Sequence, residues 1–214
     1  MSKLRLHLSI SLDGYVAGPN QTEEEPLGVG GEQLHEWLVP LEIFKRSHGR
    51  EDEGGEVTAS TPIVEEWFEN VGATIMGRNM FGPPSGGPWG EDPWRGWWGD
   101  EPPFHVPVFV LTHHAREPLE MQGGTTFHFV TDGIESALEQ AREAAAGQDV
   151  ALAGGAEVAR QYLAAGLLDE IGLDVVPLLL GDGERLFEDV GTPRLEQVRT
   201  VEAPGVTHLK YRVG

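Results

Sequence analysis

The apolar run Asp149-Val150-Ala151-Leu152-Ala153 leads straight into Gly154-Gly155 and then into a helical pattern from Ala156 to Gly166. A strand that ends in two glycines and opens a helix ties the chain to architectures in which helices cover a sheet. It also bares backbone amides, because glycine lacks the β-carbon that would hold a ligand off. The unpaired N–H groups of a helix's first turn carry about half a positive charge, which favours a phosphate. Glycines that merely let a helix pack close to a strand give the same pattern, so the junction alone leaves both readings open. Downstream, Leu168 to Pro177 reads as a long strand and Leu178 to Phe187 as a turn-rich loop.

Two similar junctions lie upstream. Ala73 to Met76 is a short apolar strand followed by Gly77-Arg78-Asn79-Met80-Phe81, and Leu4 to Ile10 is a strand that runs into Ser11-Leu12-Asp13-Gly14. Between them, residues 19–60 form a polar insertion in which Leu34, Trp37, Leu38, Leu41 and Phe44 recur at helical spacing, predicting a helix broken at Pro40. Ser60-Thr61-Pro62 predicts a hydroxyl cap with proline in the first turn, opening a helix to Val71. Residues 82–105 are rich in proline and glycine and hold Trp89, Trp94, Trp97 and Trp98, four of the six tryptophans. Such a loop is expected to pack over a ligand, against a partner subunit, or on its own core. Strands are predicted at 106–112 and 125–130, with a helix from Ile134 to Ala146 capped by Thr131 or Asp132. Two final strands, Leu195–Val201 and Val206–Val213, are predicted around a turn at Ala203-Pro204-Gly205. Strands alternating with helices, then a closing antiparallel pair, predict a three-layer α/β/α fold with a mixed, mostly parallel sheet. The expectation is one domain over residues 1–214, with insertions at 19–60 and 82–105.

Composition removes several classes of function. A formal charge of −20 repels polyanions, so no general nucleic-acid binding is expected and any phosphate site must be assembled locally. There is no cysteine, which excludes disulfides and thiolate metal sites. No apolar run reaches the length of a membrane span and the N-terminus lacks a secretory apolar core, so a cytoplasmic protein without membrane contact is expected. His113 and His114 would point to opposite sides of a strand end, and no carboxylate or H-x-x-x-H spacing completes a ligand set, so no metal is expected.

Four segments, in this order, resemble the dihydrofolate-reductase-like superfamily, in the branch of the riboflavin-pathway pyrimidine reductase domain and its stand-alone bacterial relatives. They are SLDGYVAG at 11–18, IMGRNMF at 75–81, VFVLTHH at 108–114 and ALAGGAEVARQYLAAGLLDEIGLDVVPLLLGDGERLF at 151–187. The resemblance implies NADPH as cofactor. It places Gly77, Arg78 and Asn79 at the phosphates, and Thr112, His113 and His114 at the adenosine ribose and 2′-phosphate. Gly154, Gly155, Ala156, Glu157 and Val158 match the pyrophosphate turn, while Ala17 and Gly18 would reach the nicotinamide amide. This chain departs from the family in carrying Met80 where many relatives have threonine, and histidines where arginine is frequent; Arg116 follows two residues later.

The resemblance also implies a substrate cleft beside Asp13, Tyr15 and Phe81, with Asp13 as the acid that protonates the substrate during hydride transfer. As residues alone, Asp13-Gly14 is equally a common turn pair. Glu65 and Glu66 precede the glycine–arginine strand, as an acidic residue does in folate reductases, but at inexact spacing, and they read as a solvated face. The implied reaction is reduction of 5-amino-6-(5-phosphoribosylamino)uracil. The alternatives are dihydrofolate reduction and nucleotide binding without turnover. A homodimer is expected as well, because Ile171 to Leu180 is apolar on both faces and relatives use their C-terminal strands as an interface.

Overall fold

The alternation along Leu4–Ser11 (β1) puts Leu4, Leu6 and Ile10 on one side of the chain and Arg5, His7 and Ser9 on the other. That division runs across the sheet. In a computed structural model, which describes residues 2–83, 87–90 and 94–214, β1 lies near the middle of nine strands. The other elements follow in chain order. Tyr15–Ala17 (β2), Glu42–Ser47 (α1) and Thr61–Phe68 (α2) precede Val71–Gly77 (β3) and Arg78–Phe81 (α3). Next come Pro107–Leu111 (β4), Leu119–Glu120 (β5), Thr126–Val130 (β6), Ile134–Ala144 (α4), Asp149–Gly154 (β7) and Ala156–Ala164 (α5). Glu170–Val176 (β8), Glu184–Arg185 (β9), Leu195–Ala203 (β10) and Val206–Val213 (β11) complete the chain.

The sheet order is β10-β11-β8-β1-β7-β3-β4-β6-β5. The pairs from β8 to β6 are parallel, and the β8–β11, β11–β10 and β6–β5 pairs at the two sides are antiparallel. The mixed, mostly parallel sheet read from the sequence is the one observed. On one face, Leu4, Leu6, Ile75 and Ile171 meet Leu138 and Ala141 of α4 and Val158, Tyr162 and Leu163 of α5. On the other, Leu34, Trp37, Leu38, Leu41 and Ile43 of the 19–60 segment pack with Val64, Val176 and Val206. That segment is folded around its own apolar residues and contributes a wall of the molecule. It contains a short 3₁₀ turn at Gly31–His35 and then α1, with the break at Pro40 as proline requires.

Several local expectations are corrected. α2 ends at Phe68, and Ser60 makes no side-chain cap. Its Oγ instead bonds Nε2 of His208 at 2.8 Å, a partner 148 positions away that no local pattern could announce. α4 starts from Gly133 without a side-chain cap, so neither Thr131 nor Asp132 serves. The tryptophan loop, apart from 84–86 and 91–93, which lie outside the described residues, packs on its own core. Trp89, Trp94 and Trp98 join Phe81, Phe127 and Phe129, while Trp94 and Trp97 donate their indole N–H to the carbonyls of Phe81 and Met80. β8, the apolar strand expected at an interface, is paired in the sheet between β1 and β11 and is largely buried within the chain.

Candidate functional site

Three of the glycine or hydroxyl junctions fall at the carboxyl ends of β7, β3 and β4, which are neighbours and parallel. Ligands of open α/β sheets collect at such an edge. Gly154 has φ +134°, a conformation side chains rarely adopt, and Gly155 is the N-cap of α5 without any side-chain cap. A β-carbon on Gly155 would meet nothing within 4 Å. Uncapped amides facing open space form a cradle of the kind a phosphate fills. Ala156 and Val158 are buried beneath it. Glu157 turns aside to Arg160 at 2.7 Å and to Gln161, and the bond to Arg160 is the main cause holding its carboxyl below the usual range.

Gly77 is required by packing, since a β-carbon there would come within 2.9 Å of Val158. Exposed Asn79 and buried Gly18 line a small polar cleft of about 350 Å³ with Asn20, Gln21 and Asp182. Ala17 pairs with Glu184 in the small β2–β9 sheet, and Gly183 comes so close to the Ala17 carbonyl that no side chain fits there. This strap fixes the loop at the edge of the cleft.

Most of the other assigned side chains are engaged within the chain. The guanidinium of Arg78 bonds the carbonyls of Gly82 and Pro83 and lies 3.9 Å from the centre of the Trp89 ring. It is built into the loop, so it is not presented to a phosphate, and burial first, then Arg116, lowers its pKa. Thr112 is buried and its hydroxyl accepts from the His114 amide at 3.2 Å; His113 is exposed, and the His114 carbonyl is held by Trp89 at 2.8 Å. Tyr15 is buried with Arg185 over its ring, and its hydroxyl reaches the Gly181 carbonyl at 3.3 Å. Phe81 is fully buried among Phe127, Phe129 and Trp89. Neither aromatic ring is available to a substrate.

Asp13 is engaged as well. One carboxylate oxygen accepts from Ser11 Oγ at 2.6 Å and from the Leu180 amide at 3.2 Å, and the other accepts from the Gly181 amide at 2.8 Å. The Ser11 bond, aided by those amides, holds its pKa below the ordinary carboxylate value. An ionised carboxylate latching two loops has no proton to give near neutral pH.

The large concavity lies elsewhere. A cavity of about 670 Å³, within the usual range for small-molecule sites, opens between the polar face of β1, β8 and β11 and the helices α1 and α2. At its floor is a chain of bonds that sequence reading missed. Asp174, fully buried, accepts from His7 Nε2 at 2.8 Å and from His208 Nδ1 at 2.6 Å. Burial would raise its pKa, but the two imidazoles outweigh that and lower it. Strand register creates the cluster, with Asp174 opposite His208 on β11 and opposite Ser9 on β1, two residues beyond His7 on the same face. Trp67 lies against His7 with ring centres 4.6 Å apart. Nearby, Glu66 is clasped by Arg199 at 2.5 and 2.8 Å, which lowers its pKa, so it is a bound ion and not a solvated face. His35 Nδ1 and Trp67 Nε1 are buried without partners among the described residues. Both residues line this cavity, where a polar ligand would satisfy them.

The chain belongs to the RibD C-terminal domain family, whose profile it matches over residues 2–209. Among solved structures it is similar to a protein ascribed to riboflavin biosynthesis from Shewanella sp. PV-4, at 20% identity and TM-score 0.63, covering 99% of each chain. It also resembles the riboflavin biosynthesis reductase Rib7 of Saccharomyces cerevisiae, at 14% identity and TM-score 0.52, covering 100% of this chain and 89% of that one. A dihydrofolate reductase from Enterococcus faecalis complexed with NADP(H) superposes at TM-score 0.50 and 12% identity, covering 99% and 96%. These likenesses establish the dihydrofolate-reductase-like fold. No curated protein matches the chain. Among the described residues no helix is long and apolar enough to cross a membrane, and no cluster of potential metal ligands occurs.

Proposed function

We propose that this member of the RibD C-terminal domain family is a pyridine-nucleotide-dependent reductase of the pyrimidine-reductase type, with NADPH as its cofactor. The observation that carries the reading is the uncapped Gly155 cradle at the shared edge of β7, β3 and β4. Gly154, Gly155 and the first turn of α5 would hold the pyrophosphate, and Gly18 with Asn79 would border the nicotinamide end. When bound, the cofactor supplies a hydride. The protein's own part is to hold an electrophilic C=N or C=O group in the 670 Å³ cavity, shield it from water and supply a proton. The substrate best supported by family membership is 5-amino-6-(5-phosphoribosylamino)uracil. Glu66, the α2 carboxylate that lines the cavity, is already clasped by Arg199 and is not free to grip a pterin, which disfavours folate.

The test is Gly155→Val. Its side chain enters open space clear of the core, but φ 7° at this cap suits glycine, so circular dichroism should first show the fold retained, and NADPH affinity, read by fluorescence titration, should then fall about 100-fold. Gly154→Val is the poorer probe, because its φ of +134° comes with a β-carbon that would also press on Leu8 and Met80. Unchanged affinity in Gly155→Val would remove the cofactor assignment.

Self-association is proposed on narrower ground than the apolar β8. β10 is an exposed edge strand carrying Leu195 and Val198, and Leu179 and Phe187 are exposed too. Sedimentation at micromolar concentration should show a dimer, and a lone 23.3 kDa species would refute it.

A further inference from the structure

We infer that His7 is the proton donor of this reductase, and that Asp174, with His208 and Ser60 behind it, is the unit that positions it. The assignment rests on the reductase reading above and adds the acid which that reading lacks.

The bond network fixes the protons. Asp174 is a carboxylate and can only accept, so His7 must present Nε2–H and His208 must present Nδ1–H to it. His208 Nε2 is then a lone pair, and Ser60 Oγ donates to it at 2.8 Å. Every nitrogen of His208 is therefore engaged, and the ring is 3% exposed. His7 differs. Its side chain is 25% exposed on the cavity wall, and its Nδ1 has no partner among the described residues. That nitrogen lies over the bare Cα of Gly172, which also lines the cavity. Of the other groups on the cavity wall, Glu170 is paired with Lys3 and Lys210, and His105 Nδ1 is held at the Gly123 carbonyl. Asp13 and Glu66 are held ionised by their partners. His35 is kept neutral by burial, only partly offset by Asp174.

The step balances simply. As a hydride adds to the carbon of the substrate's C=N or C=O bond, the π pair moves to the nitrogen or oxygen. The Nδ1–H bond of the His7 imidazolium breaks as the new N–H or O–H bond forms, and its electron pair returns to the ring. Water then restores the proton. Asp174 keeps Nε2–H in place throughout, so the proton leaves only from the cavity side. The indole of Trp67 and the sheet backbone fix the ring plane.

The test uses the full chain with NADPH and 5-amino-6-(5-phosphoribosylamino)uracil. His7→Gly should lower kcat about 10²- to 10⁴-fold with NADPH affinity unchanged, and added imidazole should restore part of the rate. His7→Gln, which keeps more of the packing, should lose as much and resist rescue. Before any cofactor is added, ¹⁵N-imidazole spectra should show that the neutral form of His7 keeps its proton at Nε2, bonded to Asp174, so that Nδ1 is the nitrogen that takes up and releases the donated proton. The proposal is overturned by a wild type that turns over while His7→Gly stays within threefold of it, by an impaired variant that imidazole does not rescue, or by the opposite tautomer. A wild type that binds no NADPH removes the reductase reading itself. One that binds NADPH but leaves this uracil unreduced overturns the donor role in that reduction alone.

Discussion

Replacing Asp174 by alanine should destabilise the fold by about 3–5 kcal/mol, the range seen when one partner of a buried charged network is deleted. The carboxylate is fully buried and serves two imidazoles, so alanine strands the N–H groups of His7 and His208 together. His208 sits under the edge of Trp37, 5.0 Å between ring centres, and has no other place to turn. Asparagine is the informative companion. It can accept from one imidazole but must present its own N–H₂ or a mismatched contact to the other, so about half the loss is expected. Urea unfolding should show the midpoint falling while the slope stays constant. A loss below about 1 kcal/mol for alanine would mean that water replaces the carboxylate, and the cluster would not be structural. The acid limb of stability carries the same signature. The pKa of Asp174 is lower in the folded protein than in the unfolded chain. Its contribution is therefore complete above about pH 4 and is lost as pH falls through the folded value. In Asp174→Ala that part of the acid dependence should vanish.

The sheet and the glycine-lined edge of β7 and β3 were legible because they are written locally. Each parallel strand is an apolar run, and Gly77 and Gly154-Gly155 sit where a strand hands over to a helix, so order along the chain was enough to place them. The residues around them were harder. Arg78, Tyr15 and Phe81 share the same motifs, yet their side chains are claimed by Gly82, Arg185 and the Phe127 cluster. A motif fixes where the backbone goes, and tertiary neighbours decide where a side chain points. Asp13 illustrates this, since its partners Leu180 and Gly181 come from a loop 167 and 168 positions away. The His7–Asp174–His208 cluster was invisible for the same reason, being set by the register of three strands. It still left a trace. Asp174 is a charge inside the apolar strand Ile171 to Val176, and a buried charge demands partners. Gly172, two residues before it, is a glycine within a strand, which signals that something approaches the backbone closely.

That glycine supplies a sharp test. A β-carbon on Gly172 would fall 2.4 Å from Nδ1 and 2.8 Å from Cε1 of His7, in a strand where φ is ordinary and alanine is otherwise acceptable. The imidazole cannot simply swing aside, because Asp174 holds Nε2 and Trp67 covers the ring. Gly172→Ala should therefore cost about 1–3 kcal/mol by overpacking. It should also reduce kcat by about 10²-fold, because the methyl group occupies the space over which the His7 proton is delivered. The background decides the cause. With His7 already replaced by glycine the clash is gone, and Gly172→Ala should become neutral or stabilising by about 0.4–1 kcal/mol through the lost freedom of the unfolded chain. The kcat of the double variant should then match that of His7→Gly alone, since both changes act on one group. Thermal or urea unfolding and steady-state rates for the four proteins would settle it. Equal destabilisation by Gly172→Ala in both backgrounds would show that the glycine answers to something other than His7.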